Sequence, residues 1–384
     1  MAREYDVVMF GGTGFTGALT AEYLAANAPA STRIALAGRN QQKLEALRDR
    51  LGKDLPLLHA DVTDRASIDE VASKARVVIT TVGPYIHYGE PLVAACAEHA
   101  TDYVDLTGEP EFVDRMYVKY NARAEASGAR IIHACGFDSV PHDLGALFTV
   151  EHLPEGVPLT VRGLVRTRGV PSGGTVASAV TAFSRARQNM QASRERRGVE
   201  PQSGGGRQVK GERQGPHREG DLGWVLPMPT IDPQIILRSA RALDRYGPDF
   251  TYGHYVVVKK LPVAIGSVAG IAGVFAAAQV PPLRKLIMGR IPQGTGPSEA
   301  RRARSWFKIR FIGEGGGKRV VTEVAGGDPG YGETSKMLAE SALCLASDEL
   351  PKTAGQVTTA QAMGEALTQR LQRAGITFTV LEEF

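Results

Sequence analysis

Cysteine is scarce: the 384-residue chain holds three, Cys96, Cys135 and Cys344, with no C-x-x-C spacing. Three isolated thiols make neither a disulfide framework nor a thiolate zinc site, and they suit a reducing compartment. A strong charge of one sign is also missing. A formal net charge of +4 is too small to argue for nucleic acid, and no basic run is interleaved with aromatics. The chain passes almost at once into an apolar stretch, leaving no room for a secretory signal, so a cytoplasmic location is expected. No metal-ligand cluster and no nucleophile elbow is visible, so no metal is expected.

Among what is present, glycine stands out, with 44 residues. The most informative stretch is Val7-Val8-Met9-Phe10-Gly11-Gly12-Thr13-Gly14-Phe15-Thr16-Gly17-Ala18. A short apolar run ends on glycines and passes into a helix-compatible segment. This is the strand, tight turn and helix N-terminus that a dinucleotide requires. The glycines read both as Gly12-x-Gly14-x-x-Gly17 and as Gly11-x-x-Gly14-x-x-Gly17. One permits a positive φ, one lets the backbone approach a pyrophosphate, and Gly17 lets the helix pack on the strand. The free N–H groups at the helix start then face the phosphates.

A second buried strand, Arg33–Ala37, ends on Gly38-Arg39-Asn40. An NAD site would carry an acid there for the ribose 2′-OH; a guanidinium suits a 2′-phosphate instead. NADP is therefore the expected cofactor. Leu57–Ala60 reads as a third strand, placing Asp61 and Val62 at the adenine edge. A fourth, Val77–Val82, runs into Gly83-Pro84-Tyr85, which brings Thr81, Val82, Gly83, Pro84 and Tyr85 toward the nicotinamide.

The length points to two domains, and 43% hydrophobic with 22% charged residues is ordinary for a soluble globular protein. Strand and helix signals alternate to about Cys135, as in a parallel α/β sheet. The expected fold is a Rossmann-type doubly wound domain over 1–144 with an α+β domain over 145–335. Residues 336–384 are expected as helices returning to the first domain. Within the second domain, Thr160–Arg166 alternates like a half-exposed strand. Val176–Met190 has helical period, and Ser305–Val324 reads as a β-hairpin. Residues 191–223 are rich in Gly, Arg, Gln and Glu, and are expected to form a mobile excursion. Leu261–Val280 is twenty residues without charge, flanked by Lys259-Lys260 and by Arg284-Lys285. It is long enough for a span, yet suits a buried helix or a lid first and an in-plane anchor next, ahead of a true span. Gly266, Gly270 and Gly273 favour a bent or hairpin form over one continuous helix.

Taken in order, Gly11–Gly17, Ala37-Gly38-Arg39, Thr81–Tyr85, Tyr103–Glu109 and Ala134–Pro141 resemble the saccharopine dehydrogenase-like oxidoreductases. The pattern is most similar to the actinobacterial trans-acting enoyl reductase branch, and Gly294–Ser298 and Asp328–Tyr331 extend the likeness through the chain. The resemblance implies NADP-dependent reduction of an α,β-unsaturated thioester carried on a polyketide synthase during cell-envelope lipid assembly. A partner of that kind, and contact with the membrane surface through 261–280, are expectations of the same reading. Two alternatives stay open: a saccharopine-type amino-acid dehydrogenase, and a non-catalytic dinucleotide-binding scaffold at a lipid surface.

Enoyl reduction needs a hydride at Cβ, a donor toward the thioester oxygen and a proton for Cα. Candidates for the polar roles are Tyr85, Asp138 and His142. Each has a plainer reading: Tyr85 as a ring packed on the cofactor, Asp138 as a turn former, and His142 as a helix cap. A short-chain dehydrogenase is disfavoured. Its Tyr-x-x-x-Lys spacing occurs only at Tyr255–Lys259, where three valines indicate a strand and the two side chains would stand roughly 13 Å apart.

Overall fold

The computed structural model describes residues 3–169, 173–201, 206–258, 261–290 and 296–384. Ser172, Lys259-Lys260 and Gly294-Thr295 lie outside the described residues. The first part of the chain alternates β1 (Tyr5–Phe10), α1 (Phe15–Asn27), β2 (Ile34–Gly38), α2 (Gln41–Leu51), β3 (Leu57–His59) and α3 (Arg65–Lys74). It continues with β4 (Ala75–Thr80), α4 (Tyr85–Tyr88), α5 (Glu90–Glu98), β5 (Asp102–Asp105), α6 (Pro110–Ser127), β6 (Arg130–Ile132) and α7 (Val140–Glu151). Local chemistry marks the boundaries. Asn40 and Asp64 cap α2 and α3 with their side chains, and Gly52 and Gly128 end α2 and α6 in the left-handed region.

Next come β7 (Leu159–Arg168), α8 (Gly173–Ser184), α9 (Ala186–Val199), β8 (Gln208–Gly211), β9 (His217–Glu219) and β10 (Gly223–Pro227). They are followed by α10 (Asp232–Ala242), β11 (Asp249–Val258), α11 (Leu261–Gln279), α12 (Pro281–Arg290), α13 (Glu299–Arg302), β12 (Trp306–Gly315) and β13 (Lys318–Gly326). The chain closes with α14 (Gly332–Ser347), β14 (Gly355–Val357), α15 (Thr359–Ala362), α16 (Gly364–Arg373) and β15 (Thr377–Glu383).

Two sheets result. The first has seven strands in the order β14-β6-β5-β4-β1-β2-β3, every pair parallel. Its strand order reverses between β1 and β4, the switch point at which an open α/β sheet places its ligand. Alternate residues of β1 serve opposite cores: Val7 and Met9 face one, Val8 and Phe10 the other. Helices cover both faces, so the strand reads as one apolar run rather than as an alternation.

The second sheet is mixed, in the order β15-β13-β12-β7-β11-β10-β9, with β8 beside β11. Helix α7 lies flat on it. A Cβ on Gly145 would come within 2.3 Å of the Phe311 ring, so only glycine permits that approach. One continuous core therefore joins Val7 and Leu36 of the first sheet to Phe307, Ile309 and Val324 of the second. The C-terminal stretch divides between the two: β14 pairs with β6, whereas β15 pairs with β13.

Three expectations need correction. The helical period over 176–190 is split between α8 and α9, which meet at Arg185. Residues 191–223, expected as a mobile excursion, hold the rest of α9 together with β8 and β9; α9 docks on α6 through Arg196, paired to Asp114 at 2.7 Å. Residues 261–279 form one continuous helix despite their glycines, with Phe275 against Phe183 at 5.6 Å between ring centroids. Among the described residues, no helix is long and apolar enough to cross a membrane.

Candidate active site

Because the first sheet is parallel, every strand delivers its C-terminal end to one edge. The expected cofactor residues gather there. Gly11 adopts φ +86°, and its carbonyl accepts the Gly14 N–H at 3.2 Å, closing the turn after β1. The Thr81 hydroxyl donates to the same carbonyl at 3.1 Å, fastening the end of β4 to the turn. Gly12 is buried against Leu47, and a Cβ there would meet its side chain at 3.1 Å. Thr13 and Gly14 are exposed, and a Cβ on Gly14 would meet only the Gly11 carbonyl, at 3.6 Å. Among the described residues nothing stands closer than this ordinary contact distance, so the space beside Gly14 is open. Thr16 presents its carbonyl to Ser335, and Phe15 packs edge-on against Tyr331 at 5.0 Å.

Arg39 stands exposed just past the end of β2. Nearby, Asp61 folds back to accept the Thr63 N–H at 2.9 Å and its hydroxyl at 2.8 Å. Those bonds hold its carboxyl below the usual range, with Arg39 adding a smaller pull. Val62 packs partly buried onto the second core. Glycine turn, Arg39 and the Asp61–Val62 loop thus lie along one edge, where pyrophosphate, 2′-phosphate and adenine were expected. The residues present fit NADP.

Gly83-Pro84 is a cis peptide leading into α4. Tyr85 is buried, and its hydroxyl is committed twice: it donates to the Thr80 carbonyl and accepts the Leu106 N–H, each at 3.2 Å. Burial raises its pKa well above the ordinary phenol value. The start of α4 is held by Glu109, whose carboxylate accepts the Tyr85 N–H at 3.0 Å and the Ile86 N–H at 2.9 Å. His87 and Tyr88 point outward, exposed.

Asp138 lies in the loop after β6, at the same sheet edge, and its Oδ2 is 3.4 Å from where a Cβ on Gly108 would stand. Burial pushes its carboxyl up to about 6. His142 does not cap α7. Its ring is buried, with Nε2 3.3 Å from Asp232 Oδ1, while His254 Nε2 lies 3.5 Å from Asp232 Oδ2. Burial lowers the pKa of both imidazoles, His254 to about 3, and raises that of Asp232. His142, Asp232 and His254 each offer a potential ligand atom within 4.8 Å of the others. The trio joins α7 to α10 and β11 behind the Asp138 loop. Sequence reading missed Asp232 and His254, although a signal existed: His254 shares the inward face of β11 with Phe250 and Tyr252, and a histidine in that apolar alternation is out of place.

Residues 7–132 match the family described as the saccharopine dehydrogenase NADP-binding domain. A trans-acting enoyl reductase of Mycobacterium ulcerans is 36% identical, with 97% of each chain covered. One of Mycobacterium tuberculosis is also 36% identical at the same coverage. A further Mycobacterium tuberculosis protein, provisionally given the same name, reaches 40% over 97% of each chain. Among solved structures, the apo saccharopine dehydrogenase (L-Glu forming) of Saccharomyces cerevisiae aligns with a TM-score of 0.57. It is 12% identical over 98% of this chain and 99% of that one, a likeness of fold. The chain belongs to the family of trans-acting enoyl reductases, carries a saccharopine dehydrogenase NADP-binding domain, and is an NADP-dependent oxidoreductase.

Proposed function

We propose that the protein reduces the carbon–carbon double bond of an α,β-unsaturated thioester, an intermediate of polyketide or lipid assembly presented by a separate synthase. The observation that carries the reading is the placing of Asp138 on the sheet edge that also bears the glycine turn, with its carboxyl at about 6. NADPH, when bound, supplies the hydride for Cβ. Asp138 delivers the proton to Cα and is reprotonated from water. A carboxyl of that pKa is protonated often enough near neutrality to act as an acid. His142, buried in the first turn of α7, is a positioning residue: its ring packs edge-on against Phe137 at 5.3 Å, next to Asp138 in the loop. Tyr85 is likewise a positioning residue, because its hydroxyl already serves two backbone groups that tie β4 to the segment after β5.

Two further observations bear on the substrate. Arg162 is not available to gather substrate carboxylates, being neutralised by Glu212 at 3.0 Å and facing Glu314 at 3.9 Å. Helix α11 leaves Val274 and Phe275 exposed, which suits contact with an acyl chain, a synthase or a lipid surface. The test is NADPH consumption with a medium-chain trans-2-enoyl thioester, and mass analysis of the product. Formation of the saturated thioester supports the assignment. NADPH binding without oxidation, or oxidation only with 2-oxo acids and amines, would refute it.

A further inference from the structure

A cavity of about 520 Å3 opens between the end of β7 and α13, within the size range of small-molecule sites. It is lined by Arg168, Arg301 and Arg304 and by the hydroxyl residues Ser298 and Ser305, with no carboxylate residue among the described lining residues. Three exposed arginines around one cavity give it a positive potential that favours an anion. Forked N–H donors and flanking hydroxyls match the oxygens of a phosphate ester.

The packing puts this cavity beside the cofactor cleft. In the second sheet Arg168 pairs in register with Trp306, which fixes the end of β7 next to the segment after α13. The residues just before α13 and the last residue of α13 lean on Phe15, next to the glycine turn. A Cβ on Gly296 would come within 2.2 Å of the Phe15 ring, and the Arg302 guanidinium lies 5.7 Å from the centre of that ring. Arg302 Nε is buried there without a hydrogen-bond partner. The cofactor's own anionic groups are provided for elsewhere, the pyrophosphate by the start of α1 and the 2′-phosphate by Arg39. The cavity's cations are therefore left for an anion brought by the second ligand.

We propose that Arg168, Arg301 and Arg304 form a phosphate-ester subsite for the phosphorylated pantetheine arm that carries the thioester substrate. This rests on the thioester reading above. The arm enters beside α13 with its phosphate among the arginines, and its sulfur end reaches the Asp138 edge. Truncated thioesters that lack the phosphate lose this contact.

The test compares one enoyl group on coenzyme A and on N-acetylcysteamine, with the wild-type chain, an R301A/R304A double variant and R168A. All three arginines are exposed, so the variants should fold normally. The double variant should raise KM for the coenzyme A thioester about 10- to 100-fold, the scale of lost charge-assisted contacts. The loss should be confined to the phosphate-bearing substrate, with NADPH affinity retained. Equal losses on both thioesters, no loss on either, or a loss of NADPH affinity would overturn the subsite. Calorimetric binding of free coenzyme A separates this proposal from the functional one. If wild-type protein turns over neither thioester but binds coenzyme A, and the double variant does not, the subsite stands and the enoyl assignment falls. If glutamate displaces coenzyme A at comparable concentration, the site is one for carboxylates and the subsite falls.

Discussion

A methyl group on Gly17 would lie 2.3 Å from the carbonyl oxygen of Gly11 and 2.7 Å from the Thr81 hydroxyl. The helix that begins after the glycine turn can approach that closely only because residue 17 has no side chain. Gly14, three residues earlier, meets nothing closer than 3.6 Å. The two glycines therefore differ: Gly17 is required by packing within the protein, and Gly14 is not.

Gly17→Ala should destabilise the protein by about 1–3 kcal/mol, the usual cost of forcing atoms into a packed contact. Gly14→Val should leave the thermal midpoint near that of wild type and abolish NADPH binding, since a branched side chain would fill the space kept for the pyrophosphate. Denaturation curves and nicotinamide fluorescence separate the two. Retained NADPH affinity in Gly14→Val would show that this turn does not hold the phosphates.

Arg39→Asp should weaken NADPH binding by roughly 1.5–3 kcal/mol, the range of a hydrogen bond to a charged group. NADH should be affected much less, because it has no 2′-phosphate for the guanidinium to meet. Titration with both cofactors decides the matter; equal losses would mean that Arg39 does not read the 2′-phosphate.

Much of this was legible beforehand, and the reasons are local. Strands buried on both faces, such as Val7–Phe10 and Val77–Thr80, appear as unbroken apolar runs, and the glycine turn has a fixed position after the first. What was not legible depends on distant partners. Helix α9 is too polar to look structured on its own, yet Arg196 is buried because Asp114 and Glu200 both pair with it at 2.7 Å. Likewise Asp232 and His254 meet His142 only when α10 and β11 close over α7. No spacing in the sequence announces a contact made across two sheets.

Asp138 gives a pH dependence of definite sign. As a proton donor it must be protonated, so kcat/KM should fall as pH rises through about 6. The linked stability has the same direction. The folded state holds this proton more tightly than the unfolded chain, so the contribution is full below the ordinary value of 3.8 and is lost as pH rises through about 6. Asp138→Asn should flatten both profiles and slow turnover. A pH–rate profile unchanged by that substitution would remove Asp138 from the chemistry.

Val274→Asp with Phe275→Asp should leave folding and NADPH affinity intact, because both side chains are 41–43% exposed. Turnover of long-chain thioesters should fall while that of short-chain ones is kept. Loss of fold would instead place these residues in the core, and no change with either chain length would mean that α11 touches no substrate or partner.

The most direct test of the central claim is isotope transfer in a single turnover. NADPH carrying deuterium at the transferred position is mixed with enzyme and an unlabelled trans-2-enoyl thioester, and a parallel reaction is run in deuterated water. The expected result is a saturated thioester with cofactor deuterium at Cβ and solvent deuterium at Cα. Deuterium delivered instead to a carbonyl or imine carbon, or an enoyl thioester recovered unreduced beside bound NADPH, would contradict the account.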